Sequence, residues 1–491
     1  MMVGIMLTAV TTATAGGILT NTNQSIDFLR NPARDAAIGL DGVYSNPAGV
    51  AFLPEGFHFG FNWQYAHQTR TIESTSPFFA LGRKNNGQTT KTFEGVADAP
   101  CIPSLQAAYN TGNWSWQFNF SVPGGGGKCE FADGLGSFES VVGSIANQLK
   151  PLGAQGYDMD GYMQGRQYYF GFQLGTAYKI TDNLSVYGGL RLLWGTATYK
   201  ARISNIMVNL GDNRYMDFGG FLQSAETTVD ENLTKVNAGI AQLEAAGATA
   251  LPQYAELQAT KTKLDGTKQS LNALQKYSQG VNLLCNQSSV GIAPVVGADL
   301  KAGRFNFAAK YEFKTQIRMK NESTVFEASE IAAVNKFRDS EEVNEDVPAQ
   351  LAVGVQWTPI DPVRVNVGWH HFFDKKAQWY NSAQDLLDHD SNEFLAGVEW
   401  DLNDRLTISG GAQLTRYGLT DQYMNDMSFV VNSHSIGLGF NYKVSDKVTV
   451  KAGYFQTNYD HYKRENYPAE GFSDDFTRTS RVLGVGCELN L

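Results

Sequence analysis

The residues whose types could do chemistry are few, and their spacing keeps them apart. Gly124-Gly125-Gly126-Gly127-Lys128 has the glycine density of a phosphate-cradling loop, but Val122 stands at its first glycine position and Cys129 replaces the hydroxyl that would hold magnesium. His370 and His371 are adjacent on an expected strand, so they point to opposite faces and cannot share a metal ion. Cys101, Cys129, Cys285 and Cys487 lie too far apart for a zinc site, and neither a CxxC pair nor a disulfide framework is indicated. No HExxH and no GxSxG occurs. No catalytic constellation, metal or cofactor is therefore expected, and the function is not expected to be enzymatic. A net charge of −10 without clustered Lys or Arg argues against nucleic acid as a partner.

The remaining charges fall into a pattern only when they are placed on strands. From His58 onward apolar and polar residues alternate with period two, as strands with two different environments require. Phe57, Phe59, Phe61, Trp63 and Tyr65 share one face, whereas His58, Gly60, Asn62 and Gln64 share the other. The same alternation returns at Trp114, Trp116, Phe118, Phe120 and Val122, and again from Val363 to Phe373. Tyr178, Trp357, Trp400 and Tyr442 each stand four residues before a turn aspartate, at Asp182, Asp361, Asp404 and Asp446. An aromatic at one constant depth in successive hairpins is the girdle of a membrane barrel.

These segments number fourteen, from 56–67 through 114–123, 184–200 and 304–318 to 480–490. Their connections alternate between short turns and long loops, which places both termini on the periplasmic side. With 50 Gly, 22 Tyr, 29 Phe and 18% charged residues in a 491-residue chain, one large closed architecture accounts for the length. The expected fold is all-β: a 14-stranded antiparallel transmembrane barrel over 56–491. Residues 1–15 read as a signal peptide ending in Ala13-Thr14-Ala15. Residues 16–55 do not alternate and are expected to fill the lumen as a hatch, since strand side chains alone cannot fill so wide a barrel. Leu222, Ala225, Val229, Leu233, Val236, Ile240 and Leu243, then Leu257, Leu264, Leu271, Leu274 and Val281, keep three-four spacing around a break at Gly247 to Pro252. This predicts a helical hairpin inserted in an external loop, over about 220–284.

Parity turns Arg191, Lys310, Glu312, Lys314, Arg364, Glu399, Lys451 and Glu488 inward. Such mixed charges form an ion-pair network holding the hatch, or one of Arg191, Lys310 and Lys314 pairs with a substrate carboxylate. Pro123 removes a ladder donor, and Gly124, Gly125 and Gly126 supply nothing to pack. Either the third strand ends there or it is interrupted and opens the wall.

Asn46-Pro47-Ala48-Gly49 before the first strand, Asn31-Pro32-Ala33-Arg34-Asp35-Ala36-Ala37 upstream, and Val347-Pro348-Ala349-Gln350-Leu351 leading to Gly354-Val355-Gln356-Trp357-Thr358-Pro359 together resemble the FadL/TodX family of outer-membrane long-chain fatty acid and hydrocarbon transporters. The resemblance implies a bacterial outer-membrane location, a hatch containing Asn46, Pro47, Ala48 and Gly49, and cargo that is caught between external loops and leaves sideways through the wall. The expected partners are then outer-membrane lipid and a hydrophobic small molecule such as a fatty acid, with the barrel a monomer. Apolar residues after the fifth and seventh strands, Phe218, Phe221, Leu222, Val325, Phe326, Ile331, Val334 and Phe337, either line a capture groove or pack the loops' own helices. A diffusion porin for polar solutes and a barrel-anchored adhesin or structural protein are the competing functions.

Overall fold

The computed structural model describes residues 18–212, 214–327 and 332–491. The expected signal peptide, Gly16 and Ile331 lie outside them. The walls are fourteen antiparallel strands: β1 (Gly56–Thr75), β2 (Thr90–Thr111), β3 (Trp114–Phe131), β4 (Gly156–Lys179), β5 (Leu184–Asn209), β6 (Val281–Ala302), β7 (Phe305–Glu312), β8 (Gln350–Ile360), β9 (Val363–Phe372), β10 (Ser391–Asp401), β11 (Leu406–Arg416), β12 (Ser433–Ser445), β13 (Val448–Tyr459) and β14 (Ser473–Asn490). Four short segments, Tyr215–Asp217, Arg318–Ser323, Glu342–Asn344 and Tyr462–Glu465, extend the sheet above them. Neighbours pair in sequence, and β1 closes on β14 from His58↔Asn490 to Thr75↔Ser473. Closure leaves β1 and β14 without a free edge, so their backbone is satisfied where no water reaches.

Alternate residues divide between two surroundings as the pleat requires. Trp116, Leu174, Leu190, Val367, Phe394 and Leu438 are exposed on the outside, while Asn119, Gln173, Arg191, Asn366, Glu393 and Gln413 are buried within. Tyr178, Trp357, Trp400 and Tyr442 all face outward beside short turns. No helix among the described residues is long and apolar enough to cross a membrane, so the strands do the crossing.

Two differences from the expected spans have physical causes. β1, β4, β5 and β14 run well past the anticipated outer limits, because beyond the hydrocarbon the outward face carries residues such as Thr69, Thr71 and Glu73. Apolar alternation fades there while pairing continues. The seventh strand, expected over 304–318, stops at Glu312 and resumes only at Arg318. Its partner in β6 is Pro294, which has no N–H to donate to the ladder just past Val295↔Glu312.

Two long helices, α1 (Phe218–Ala245) and α2 (Pro252–Gln275), stand on β5 and β6, with proline in the first turn of α2, where the missing N–H costs nothing. Val281, which continues the helical spacing, instead opens β6.

Candidate functional site

The lumen holds two regions of different character. In the lower one, residues 18–55 are almost entirely buried and tied to the wall by charge. A five-residue helix, Ile26–Arg30, begins at Ser25, whose Oγ accepts the Phe28 N–H at 3.1 Å. Asp27 meets Lys451 at 2.6 Å, and Lys451 also meets Glu488 at 2.6 Å. Glu399 gathers three guanidinium groups: Arg30 at 2.7 Å, Arg34 at 2.9 Å and Arg364 at 3.1 Å. His370 lies between Asp35 and Glu393, 2.8 Å from each, while its neighbour His371 turns to the other face.

The Asn46-Pro47-Ala48-Gly49 element is spread across three walls, β3, β5 and β6. Asn46 donates to Asp299 at 2.6 Å, the Pro47 carbonyl accepts from Gln117 at 2.7 Å, and the Ala48 carbonyl accepts from Ser185 at 2.7 Å. A side chain at Gly49 would strike Asn46 and Asp299. Glycines at 354, 368, 397, 411 and 437 let Asp35, Asn31, Pro32 and Leu29 press against the wall backbone from within. On the opposite, lipid-facing side of these strands lies a shallow apolar concavity of about 940 Å³.

The upper region surrounds a seam between β2 and β3. These strands pair from Thr111↔Trp114 to Leu105↔Phe120 and again only at Val96↔Glu130 and Gly95↔Phe131. Between those points no ladder joins 97–104 to 121–129. Against β4 the same stretch of β3 carries two bulges, at Ser121/Gly124 and Gly124/Gly127. Gly125, at φ 91°, can be replaced by no ordinary residue without strain. Pro100, Pro103 and Pro123 remove ladder donors on both banks.

The hatch supplies what the missing ladder does not. The Gln24 side chain accepts the Val122 N–H at 3.0 Å and donates to the Val122 carbonyl at 3.1 Å, while the Asn21 N–H reaches the Pro123 carbonyl at 2.8 Å. Ser104 on the other bank donates to the Gln24 carbonyl at 2.7 Å. A cavity of about 160 Å³ lies in the seam. It is bounded by Asn21 on the hatch, by Ala99, Cys101 and Ile102, by Gly125 to Gly127, and by Phe170. Its walls thus belong both to the lumen and to the outer surface. Gln24, Pro100 and Pro103 were not singled out from sequence; the two prolines were the available signal.

The basic candidates all have partners. Arg191 is paired with Glu312 and donates to Gln173 at 3.1 Å, Lys310 donates to the Tyr44 carbonyl at 2.9 Å, and Lys314, above the end of β7, meets Asp346 at 3.0 Å. The loop candidates separate. Phe218, Phe221, Leu222 and Phe337 are buried in the large outer cluster, Val325 packs at its margin, Val334 is half-buried, and Phe326 is 78% exposed. Among the described residues no group of three His, Cys, Asp or Glu is placed to hold a metal.

No protein-family model matches the sequence, and no curated protein is similar to it in sequence. Solved structures are similar in shape. A Pseudomonas aeruginosa FadL homologue superposes with a TM-score of 0.59 at 10% identity, covering 97% of this chain and 100% of that one. The P. putida toluene transporter TodX gives 0.54 at 11% identity, covering 92% and 94%. A TodX deltaS2S3 mutant monoaromatic hydrocarbon channel gives 0.55 at 12% identity, covering 96% and 100%. With an outward apolar belt on a closed barrel of fourteen walls, the chain is a bacterial outer-membrane β-barrel with the fold of the FadL homologue and of TodX.

Proposed function

We propose that the protein carries hydrophobic small molecules, long-chain fatty acids foremost, from the cell exterior to the seam between β2 and β3 and sideways into the membrane. The observation that carries this reading is the broken ladder between 97–104 and 121–129, with its cavity bounded by hatch and outer wall alike. Unpaired backbone is costly in lipid, so a seam is tolerated where a hatch shields it or a cavity lines it. An apolar molecule leaving there avoids the polar, hatch-filled lower lumen. That filled lumen supports this reading over an open pore for polar solutes. TodX, a barrel of the same fold, is a toluene transporter, and its deltaS2S3 mutant a monoaromatic hydrocarbon channel, which supports an apolar cargo. Phe326, largely exposed among the outer loops, offers such a molecule an apolar surface.

Cys101 gives a direct test, because it is an exposed thiol in the seam while Cys129 and Cys285 are buried. In a Cys487→Ser background, alkylation of Cys101 with a bulky maleimide should reduce uptake of a long-chain fatty acid severalfold, and the further variant Cys101→Ser should be insensitive. Uptake unchanged by complete modification of Cys101 would contradict the lateral route.

A further inference from the structure

Arg70 and Arg478 stand directly opposite one another in the β1–β14 ladder, and both point into the outer lumen, each 2% exposed. Like charges in that position repel, and burial without a counter-charge adds a large desolvation cost. The other buried arginines among the described residues, Arg30, Arg34, Arg191 and Arg464, each hold a carboxylate. Here the side chains acting most on Arg70 are Arg478, Cys129 and Tyr459, none of them a carboxylate. The inward carboxylate at the outer end of the same wall, Asp474, is already engaged by Arg464 and Ser74.

Donors therefore outnumber acceptors in one place. Arg70 Nε and Nη2, Arg478 Nε and the Tyr459 hydroxyl are buried with no hydrogen-bond partner among the described residues. Arg478 spends its other nitrogens on Gln68 at 3.1 Å and the Phe429 carbonyl at 3.4 Å, and lies 5.0 Å from the centre of the Tyr459 ring. The surrounding surface is apolar, with Ile72, Phe93, Phe131 and Phe476 all buried. Gln68, which touches Arg478, is also part of the seam cavity wall.

We propose that Arg70 and Arg478, with Tyr459, bind the oxyanion head of an apolar-tailed molecule, a carboxylate or a phosphate ester, whose tail runs past Gln68 toward the seam. This rests on the transport reading and narrows it: the cargo is an anionic amphiphile rather than a neutral hydrocarbon. The paired guanidinium groups match two oxygens of one head, and the head cancels the repulsion between them.

The test is equilibrium dialysis of the full barrel in nanodiscs with octanoate, octyl phosphate, octanol and inorganic phosphate. Wild-type protein should bind octanoate or octyl phosphate about tenfold or more tighter than octanol, and the tighter of the two names the head group. R70Q and R478Q should each lose that preference while binding octanol as before. Removing one of two buried like charges should leave the barrel folded, which the heat-modified band on a gel checks; Arg70→Met is the alternative if glutamine does not fold. The wild-type preference is a test even without any variant. Binding of octanol alone, or variants that hold octanoate as wild type does, would overturn the anion site. Inorganic phosphate binding as tightly as octyl phosphate would overturn its assignment to an amphiphile. Failure to bind either octanoate or octanol would instead tell against the transport reading.

Discussion

The lower and upper halves of this lumen are lined by the same fourteen strands yet solve burial in opposite ways. Below, the hatch meets the wall through matched charges, with Glu399 serving three guanidinium groups and Lys451 two carboxylates. Above, the wall itself is incomplete, and neutral amide groups from Gln24 and Asn21 stand in for a strand. The same N-terminal segment is thus held by charge at one end and by neutral hydrogen bonds at the other. Removing one member of a buried ion network leaves stranded charges, whereas exchanging a neutral hydrogen bond for water or a ligand changes little in net free energy.

Substitutions should sharpen that contrast. The largest effect is expected for Glu399→Ala, which takes one carboxylate from each of Arg30, Arg34 and Arg364, leaves them to Asp27, Asp41 and Asp401, and should cost about 3 kcal/mol, read from urea unfolding followed by loss of the heat-modified band. A loss under about 1 kcal/mol would mean that the lower network is not what fixes the hatch. Next, Gly397→Val drives a side chain into Asn31 and should cost about 1–3 kcal/mol by overpacking in the same assay. At the seam, Gln24→Ala should cost only about 1 kcal/mol, since it removes neutral bonds. Its readout is faster amide exchange at Val122, with unfolding of the whole barrel unchanged.

The smallest effect concerns an outer loop. Asp426 accepts the Ser137 N–H at 2.7 Å, and burial raises its carboxyl from 3.8 to about 6. A raised folded value means the stabilisation is complete below the ordinary pKa and is lost as pH rises through about 6. Protease cleavage of the 417–432 loop should therefore increase between pH 4 and 7 after correction for protease activity, and Asp426→Asn should flatten that dependence.

Much of the barrel was legible because alternation is forced wherever one face meets lipid. Tyr178, Trp357, Trp400 and Tyr442 marked one membrane face, and the three-four spacing with its break before Pro252 marked the two helices. Legibility failed where that force stops. Arg70 and Arg478 sit beyond the expected limits at 67 and 480, where the outward face is already polar, so neither was recognisable as a lumen residue. Lys314 was assigned to a strand that Pro294, in the neighbouring wall, interrupts. Gln24 lies in a segment without periodicity, and its role depends on a gap in two strands far along the chain. Pro123 and the following glycines were visible, but their effect on pairing also depends on Pro100 and Pro103 across the seam.

The most direct test of the lateral route is to map where cargo touches the protein. A long-chain fatty acid carrying a diazirine near its tail would be taken up by cells making the protein, irradiated, and located on the barrel by mass spectrometry. Cross-links should concentrate on Ala99 to Pro103, Val122 to Lys128 and Phe170, the banks of the seam. Cross-links that avoid these residues and instead descend through the hatch to the periplasmic turns would contradict a sideways exit.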